Sequence, residues 1–265
     1  MKILRVNMRT MDIVAVPFPA EWNFYGNMGL IGLIMNNEVP PTCDPLGPDN
    51  KLIFAAGPLN ILGVSSAGRL SAGGKSPLTK GIKESNSGGI AASYMVQQGY
   101  RAIVIEDKPS REDAIYILRI TADGCFLEDG TEYRGLGTHD LTARLQAKYG
   151  AKSSITCIGM SGEHLMSMAG IVNTDKDGNP SRLCARGGLG AVMGSKGLKA
   201  IVIDAGGKEA IAVHDMPTFR VAVRQYTQEL LNSPTTSKGY PKYGTAAMMA
   251  VVNAVNALPT RSFRQ

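Results

Sequence analysis

Two closely similar stretches of the chain, Gly99–Glu106 (GYRAIVIE) and Gly197–Asp204 (GLKAIVID), decide the fold. In each stretch a glycine precedes a basic residue and then a short apolar run rich in β-branched side chains. Such a run predicts a buried strand. We therefore expect strands over Ala102–Glu106 and Ala200–Asp204, and their recurrence indicates an internal repeat.

The similarity between the two parts of the chain extends upstream of these strands. Ile53–Gly57 is similar to Ile155–Gly159, and Gly88–Ile90 is similar to Gly187–Leu189. The three pairs of segments are separated by 102, 99 and 98 residues, so they occur in the same order with small changes in loop length. We predict an α+β fold in which a duplicated, β-rich unit is arranged about a pseudo-twofold axis.

Apolar periodicity and turn residues predict the other elements and the domain boundary. We predict further strands over Lys2–Met8, Ile13–Val16, Leu52–Ala56, Ile115–Ile120 and Cys125–Leu127, and helices over Asn27–Glu38, Thr138–Tyr149, Met216–Leu231 and Thr245–Leu258. The character of the sequence changes after Gly207. Residues 1–207 are therefore assigned to the β-rich domain and residues 208–265 to the beginning of a helical domain.

Composition excludes several classes of protein. The 265 residues carry a net charge of +6, but residues 1–207 hold 21 basic and 19 acidic side chains, and residues 208–265 hold 7 and 3. This distribution does not indicate a nucleic-acid-binding protein. The apolar runs are too short for a membrane span. The four cysteines are scattered without a CxxC pair, which favours free thiols in the cytoplasm over a disulfide framework or a zinc site.

Two glycine-rich turns are the candidate binding features. Asn86-Ser87-Gly88-Gly89 and Arg186-Gly187-Gly188 each precede a predicted helix, and Arg69 and Arg182 lie near them in sequence. Glycines allow a ligand to approach the backbone, and guanidinium groups suit phosphate oxygens, so we expect an anionic ligand there. The alternative is that the glycines only let each helix pack closely against its strand.

Several of these segments, taken together, are very similar to the aldehyde ferredoxin oxidoreductase family. The similarity runs from Ile3 to about Asp204 and is carried by residues 47–59 (GPDNKLIFAAGPL), 75–79 (KSPLT), 86–89 (NSGG) and 186–196 (RGGLGAVMGSK). The resemblance implies an N-terminal domain of two intertwined β-rich halves followed by helical domains. It also implies a tungsten, or less commonly molybdenum, ion held by two pyranopterins.

The resemblance assigns cofactor contacts to eight residues: Arg69, Asn86, Ser87, Gly88, Arg182, Leu183, Arg186 and Gly187. Arg69 would contact a pterin on the side of an iron–sulfur cluster. The other residues would hold the phosphate regions of the two pterins. A Mg²⁺ ion that bridges the phosphates would be bound by the backbone carbonyls of Asn86 and Leu183.

By the same resemblance, the complete enzyme oxidises an aldehyde with water to a carboxylic acid and passes electrons through a 4Fe–4S cluster to ferredoxin. No cysteine of this chain matches a cluster ligand of the family, and no catalytic acid or base can be assigned. The expected partners are the remainder of the enzyme or a partner subunit, ferredoxin, and other copies in an oligomer. A stand-alone, non-catalytic pterin-binding module or carrier, and a protein that binds another phosphate-rich ligand, stay open as alternatives.

Overall fold

The computed structural model describes residues 1–111 and 113–264, which fall into two units, Met1–Ile211 and Ala212–Gln265. The first unit contains two six-stranded mixed sheets. The strands of the first sheet are β1 (Lys2–Asn7), β2 (Ile13–Pro17), β3 (Leu52–Ala56), β4 (Leu70–Lys75), β5 (Ile82–Ser87) and β6 (Tyr100–Glu106). Those of the second are β7 (Tyr116–Thr121), β8 (Gly124–Asp129), β9 (Ser154–Cys157), β10 (Ile171–Asn173), β11 (Arg182–Cys184) and β12 (Leu198–Ile203).

The two sheets have the same topology. Their strand orders are β2-β1-β6-β3-β4-β5 and β8-β7-β12-β9-β10-β11. Among the described strands, one pair in each sheet is parallel, β1–β6 in the first and β7–β12 in the second, and the other pairs are antiparallel. Both parallel pairs have a register shift at the same place, before Ala102 of β6 and before Ala200 of β12. The structure thus has the repeated strand order expected from the sequence, whereas the pseudo-twofold axis and the intertwining stay predictions.

Five helices pack on these sheets. They are α1 (Asn27–Glu38), α2 (Ala91–Gln97), α3 (Thr138–Tyr149), α4 (Met160–Glu163) and α5 (Leu189–Ser195). α2 and α5 contribute to a core cluster shared by both sheets, α1 packs on the other face of the first sheet, and α3 packs on the other face of the second. The bounds of α1 and α3 confirm the sequence prediction.

The strands β6 and β12 are buried on both faces, which explains their unbroken apolar sequences. In β6, Ile103 and Ile105 lie in the shared core, whereas Val104 packs toward α1. In β12, Ile203 lies in the shared core and Val202 packs toward α3. The period of two therefore places alternate side chains in different clusters, and the repeat of the sequence is also a repeat of packing.

The second unit is helical and short. Its helix α6 (Met216–Asn232) begins at Asp215, whose carboxylate accepts a hydrogen bond from the Thr218 N–H at 3.0 Å, as the sequence predicts for an N-cap. A π-helical segment, Thr235–Gly239, and a short helix, α7 (Tyr240–Tyr243), follow.

The predicted helix over Thr245–Leu258 is wrong in its bounds. Gly244–Met248 is a 3₁₀ segment, and only α8 (Met249–Ala254) is α-helical. Asn256 has a φ of 54°, a left-handed conformation that an α-helix cannot contain, so the helix ends before Pro259 is reached. None of the helices that the structure describes is long and apolar enough to cross a membrane.

Candidate functional site

The edge strands of the two sheets, β5 and β11, lie side by side and run in opposite directions. The Arg186 N–H donates to Ser85 Oγ at 3.1 Å, and Asn173 Nδ2 donates to Ser87 Oγ at 2.8 Å. A Cβ added at Gly88 would lie 3.8 Å from Arg182 Cδ. These contacts join the two halves through one edge strand from each. Gly88 lies beside Arg182, whereas Arg186, which precedes Gly187, lies beside Ser85, so the two glycine-rich turns occupy different positions along the strand pair.

Two arginines, one from each half, converge beside Gly88. The added Cβ that lies 3.8 Å from Arg182 Cδ would also lie 3.9 Å from Arg69 Nη1. Both are ordinary van der Waals contacts, so a Cβ at position 88 would touch both arginine side chains without a clash. Arg69 and Arg182 are exposed. The result is a positively charged surface beside Gly88.

The Asn86 side chain orients Arg69. Arg69 Nε donates to Asn86 Oδ1, Arg69 Nη2 donates to the Asn86 carbonyl at 3.4 Å, and Asn86 Nδ2 donates to Ser71 Oγ at 2.9 Å. Asn27, at the start of α1, donates to the Arg69 carbonyl at 3.1 Å and to the same Ser71 hydroxyl at 3.1 Å. Asn27 and Ser71 are thus positioning residues that the sequence did not reveal.

The remaining residues assigned from the sequence divide into exposed and buried groups. Arg186 is exposed, and Leu183 is 49% exposed. The side chains of Arg182 and Arg186 make no hydrogen bond or ion pair with the residues that the structure describes. Ser87 is buried and accepts its hydrogen bond from Asn173. Thus the guanidinium groups face solvent, while Ser87 lies beneath them.

Gly187 has a packing role as well. It has a φ of 79°, and a Cβ there would lie 2.2 Å from Lys83 Cγ. Its carbonyl accepts a hydrogen bond from Ser76 Oγ at 2.7 Å. Close packing, the alternative considered for the glycine turns, therefore applies to Gly187. It also applies to Gly89 and Gly188, where an added Cβ would lie 2.5 Å from the Thr174 carbonyl oxygen and 2.1 Å from the Ser167 carbonyl oxygen, whereas at Gly88 it would make only ordinary contacts.

A polar turn formed by residues 175–181 directly precedes Arg182, the first residue of β11. The Asp175 carboxylate accepts hydrogen bonds from Ser181 Oγ at 2.7 Å and from the N–H groups of Asn179 and Asp177 at 2.9 and 3.0 Å. The hydrogen bond from Ser181 is the main cause that lowers the pKa of Asp175, and the nearby positive charge of Arg182 acts in the same direction. The Asp175 carboxylate is therefore ionised at neutral pH, and its hydrogen bonds hold the turn together.

Several exposed apolar side chains lie close in sequence to residues of this site. Phe24 is 95% exposed and Met28 is 66% exposed, and both are close in sequence to Asn27, which contacts Arg69. Leu59 and Leu183 are also exposed. Apolar patches rimmed by polar groups are typical of surfaces that another molecule covers.

The described residues offer no metal-binding group of three or more His, Cys, Asp or Glu side chains. Cys157 and Cys184 are buried, and Cys43 and Cys125 are partly buried. Burial raises the pKa of the Cys157 thiol to about 12, so this thiol is protonated at neutral pH.

A family model described as the N-terminal domain of aldehyde ferredoxin oxidoreductase matches residues 3–205. A tungsten-containing aldehyde ferredoxin oxidoreductase from Pyrococcus furiosus is 36% identical over 266 aligned positions, which cover 99% of this chain and 42% of that protein. An enzyme of the same name from Thermococcus kodakarensis is 35% identical with the same coverage. This chain therefore spans less than half the length of these relatives.

More distant relatives are named as parts of assemblies. A protein named aliphatic sulfonate oxidoreductase, WOR-like subunit, from Pyrococcus furiosus is 28% identical over 84% of this chain and 36% of its own length. Among solved structures, the active-site complex BamBC of benzoyl coenzyme A reductase, with bound 1,5-dienoyl-CoA, superimposes with a TM-score of 0.79 at 27% identity. That match covers 86% of this chain and 34% of the other.

Proposed function

Because the chain belongs to the aldehyde ferredoxin oxidoreductase family, we propose that the surface around Gly88 holds one side of a tungsten bis-pyranopterin cofactor. The single observation that carries this proposal is the convergence of Arg69 and Arg182 beside Gly88. The tungsten enzymes among the relatives support the choice of metal, and molybdenum is the second candidate.

The residues present fit a ligand that carries two phosphate groups. Arg69 and Arg182 come from different halves, so each can bind a different phosphate, and Arg186 adds a third exposed guanidinium. Arginine binds phosphate through parallel, charge-assisted hydrogen bonds. A side chain at position 88 would fill the space between the two arginines, which accounts for glycine there.

Arg69 already donates a hydrogen bond to one of the two carbonyl oxygens of the proposed Mg²⁺ site. The carbonyl of Asn86, one of its two proposed ligands, accepts a hydrogen bond from Arg69 Nη2 at 3.4 Å. A cation bound to that oxygen would displace the guanidinium, which would then be free to bind a phosphate. Leu183 would supply the other carbonyl from β11.

The proposed reaction of the complete enzyme is the oxidation of an aldehyde with water to a carboxylic acid, with two electrons leaving through a 4Fe–4S cluster to ferredoxin. The cofactor supplies the oxygen-transfer chemistry. The residues of this chain bind and orient the cofactor, and the Arg69 charge acts on the side proposed to face the cluster. Because the chain spans 42% of its tungsten-enzyme relatives, cluster ligands and substrate-binding residues would come from further polypeptide.

We propose that this further polypeptide covers the exposed apolar side chains of Phe24, Met28, Leu59 and Leu183. It would be either the remainder of the enzyme or a partner subunit. One relative is itself named a subunit, and the solved structure is a complex. Burial of side chains such as Phe24 and Met28 on association would be favourable by about 25 cal/mol per Å² of apolar surface.

Metal and pterin analysis of the protein, purified anaerobically from its native source with tungstate supplied, tests this function. Tungsten, pterin and iron in one complex that oxidises aldehydes is the expected result. Tungsten and pterin without iron, in a chain purified alone, would instead identify a cofactor-binding module or carrier. Absence of both metal and pterin would contradict the proposed function.

A further inference from the structure

A basic groove lies beside the turn between β1 and β2 and the segment that follows β6. It consists of two adjoining cavities of about 580 and 720 Å³, which share Arg9, Ser110 and Arg111 in their walls. Each volume falls in the range of about 300 to 1,000 Å³ that is usual for small-molecule sites. The groove shares none of its lining residues with the arginine pair at Gly88.

The middle of the groove is positively charged. Arg9, Lys108 and Arg111 line it. Arg9 pairs with Asp107 at 2.9 Å and Arg111 with Asp113 at 3.1 Å, whereas Lys108 makes no ion pair with any residue that the structure describes.

Buried charges behind the groove add to this potential. Lys196 is fully buried, and Lys108 is close enough to act on its charge. Glu163 also lines the groove, but it is paired with the fully buried Lys199. Arg9 and Arg111 are themselves the partners of Asp107 and Asp113, so an anion would share these two guanidinium groups with the aspartates. Asp129 also lines the groove, so its lining has three cationic and two acidic side chains.

The other half of the domain provides an internal comparison. A cavity of about 570 Å³ occupies the equivalent position, with Gly99 in place of Gly197 and the β7–β8 turn in place of the β1–β2 turn. Its charged lining groups are the amino terminus at Met1, Lys2 and Lys208, with Asp123 and Glu209, so its balance of charges is the same as that of the groove. What distinguishes the groove is that two of its three cationic groups are guanidinium groups, which suit phosphate oxygens.

One end of the groove has a different chemistry. Tyr116 and Met11 line it, and Asp129 and Thr131 lie beside them. Met11 is 37% exposed, and Tyr116 packs partly against the shared core. The aromatic ring of Tyr116 and the thioether of Met11 are therefore both accessible to a ligand at this end. Such side chains stack on a planar ring, and a carboxylate such as that of Asp129 accepts hydrogen bonds from sugar hydroxyl groups.

We propose that the basic groove binds a nucleoside diphosphate, with its base against Tyr116 and Met11 and its phosphates between Arg9, Lys108 and Arg111. The aromatic end would contact the base, Asp129 would contact the sugar, and the cationic middle would contact the diphosphate. These three groups follow one another in the same order in the ligand. This assignment does not depend on the proposed cofactor site.

Isothermal titration calorimetry on the purified 265-residue chain tests the assignment, with ADP, inorganic pyrophosphate and adenosine as probes. We expect ADP to bind at least about tenfold more tightly than either fragment, because each fragment satisfies only one end of the groove. The double variant Arg9→Ala/Arg111→Ala should weaken ADP binding by about tenfold or more. These arginines are exposed, and a circular dichroism spectrum checks that the variant is folded.

Lys208→Ala, in the equivalent cavity of the other half, is the matched control and should leave the ADP affinity unchanged. An equal loss in this control would identify general charge attraction and overturn the proposal. So would the absence of ADP binding, or unchanged ADP binding in the Arg9→Ala/Arg111→Ala variant. Pyrophosphate binding as tight as that of ADP would overturn the assignment of the aromatic end.

Discussion

Two buried lysines, Lys196 and Lys199, hold loops in the first unit. Lys196 Nζ donates to the backbone carbonyls of Gly47 and Pro48 at 3.1 and 3.2 Å and also to the Asn50 carbonyl. Lys199 pairs with Glu163 and donates to the Leu136 carbonyl at 3.0 Å. A buried ammonium is tolerated only when its hydrogen bonds are satisfied, so both residues are structural anchors.

Lys196→Met is predicted to lower the free energy of unfolding by about 2 to 4 kcal/mol, because three backbone carbonyls, two of them in buried hydrogen bonds, lose their donor. Urea denaturation measures the change. Lys152→Met, at an exposed position, is the control and should have little effect. Equal stability of the two variants would contradict the anchoring role of Lys196.

The thiols supply a second prediction at this scale. Burial is the main cause that raises the pKa of all four cysteines. Because the thiolate is the reactive form, native protein should be alkylated by iodoacetamide much more slowly than urea-unfolded protein at pH 8. Mass spectrometry should find Cys43 and Cys125 modified before the buried Cys157 and Cys184. Early labelling of Cys157 would contradict its burial.

At the scale of elements, long apolar and amphipathic patterns were predictable, whereas short polar strands were not. α1, α3 and β3 have the bounds that the sequence predicts, because their periodicity or apolar run is unbroken. β4 and β5, with sequences LSAGGK and IKESNS, were missed because their glycines and polar side chains carry no strand pattern. The neighbouring strands of the sheet impose their conformation.

The candidate site depends on those missed strands. The sequence identified Arg69, Asn86 and Arg182 through family motifs, but the contact between β5 and β11 that brings them together is long-range. Neither Asn173, which links the halves, nor the Asp175 turn had a signal that distinguishes it from an ordinary polar residue. The sequence therefore named candidate residues, whose role in binding stays a prediction, but it did not predict the contacts between them.

Gly188→Ala tests how closely the turn between β11 and α5 packs against Ser167. Gly188 has a φ of 70°, and an added Cβ would lie 2.1 Å from the Ser167 carbonyl oxygen. Gly63 has a similar φ of 74° with no atom within 4 Å of the added Cβ, so Gly63→Ala carries the backbone strain without the clash. We predict that Gly188→Ala lowers the melting temperature further than Gly63→Ala, by the equivalent of about 1 to 3 kcal/mol. Equal effects would mean that the turn relaxes freely.

At the scale of the whole molecule, the repeat fits the proposed cofactor with two pterins. Each half contributes one edge strand to the contact between β5 and β11, and one arginine from each half lies beside Gly88. The ion pairs Arg5–Glu106, at 2.6 Å, and Arg119–Asp204, at 3.1 Å, occupy equivalent strands and strengthen the correspondence between the halves. A cofactor with two similar arms would be matched by two similar halves.

The most direct test of this account is the tungsten and pterin content of the variant Arg69→Ala/Arg182→Ala, produced anaerobically beside the wild type in a host that makes the cofactor. Arg144→Ala, an exposed position on α3, is the control for loss of one arginine charge. We predict that the double variant folds normally but loses at least about nine-tenths of its bound tungsten, because two charge-assisted phosphate contacts disappear. The control should keep its tungsten. Full tungsten and pterin content in the double variant would contradict the assignment of the cofactor to this surface.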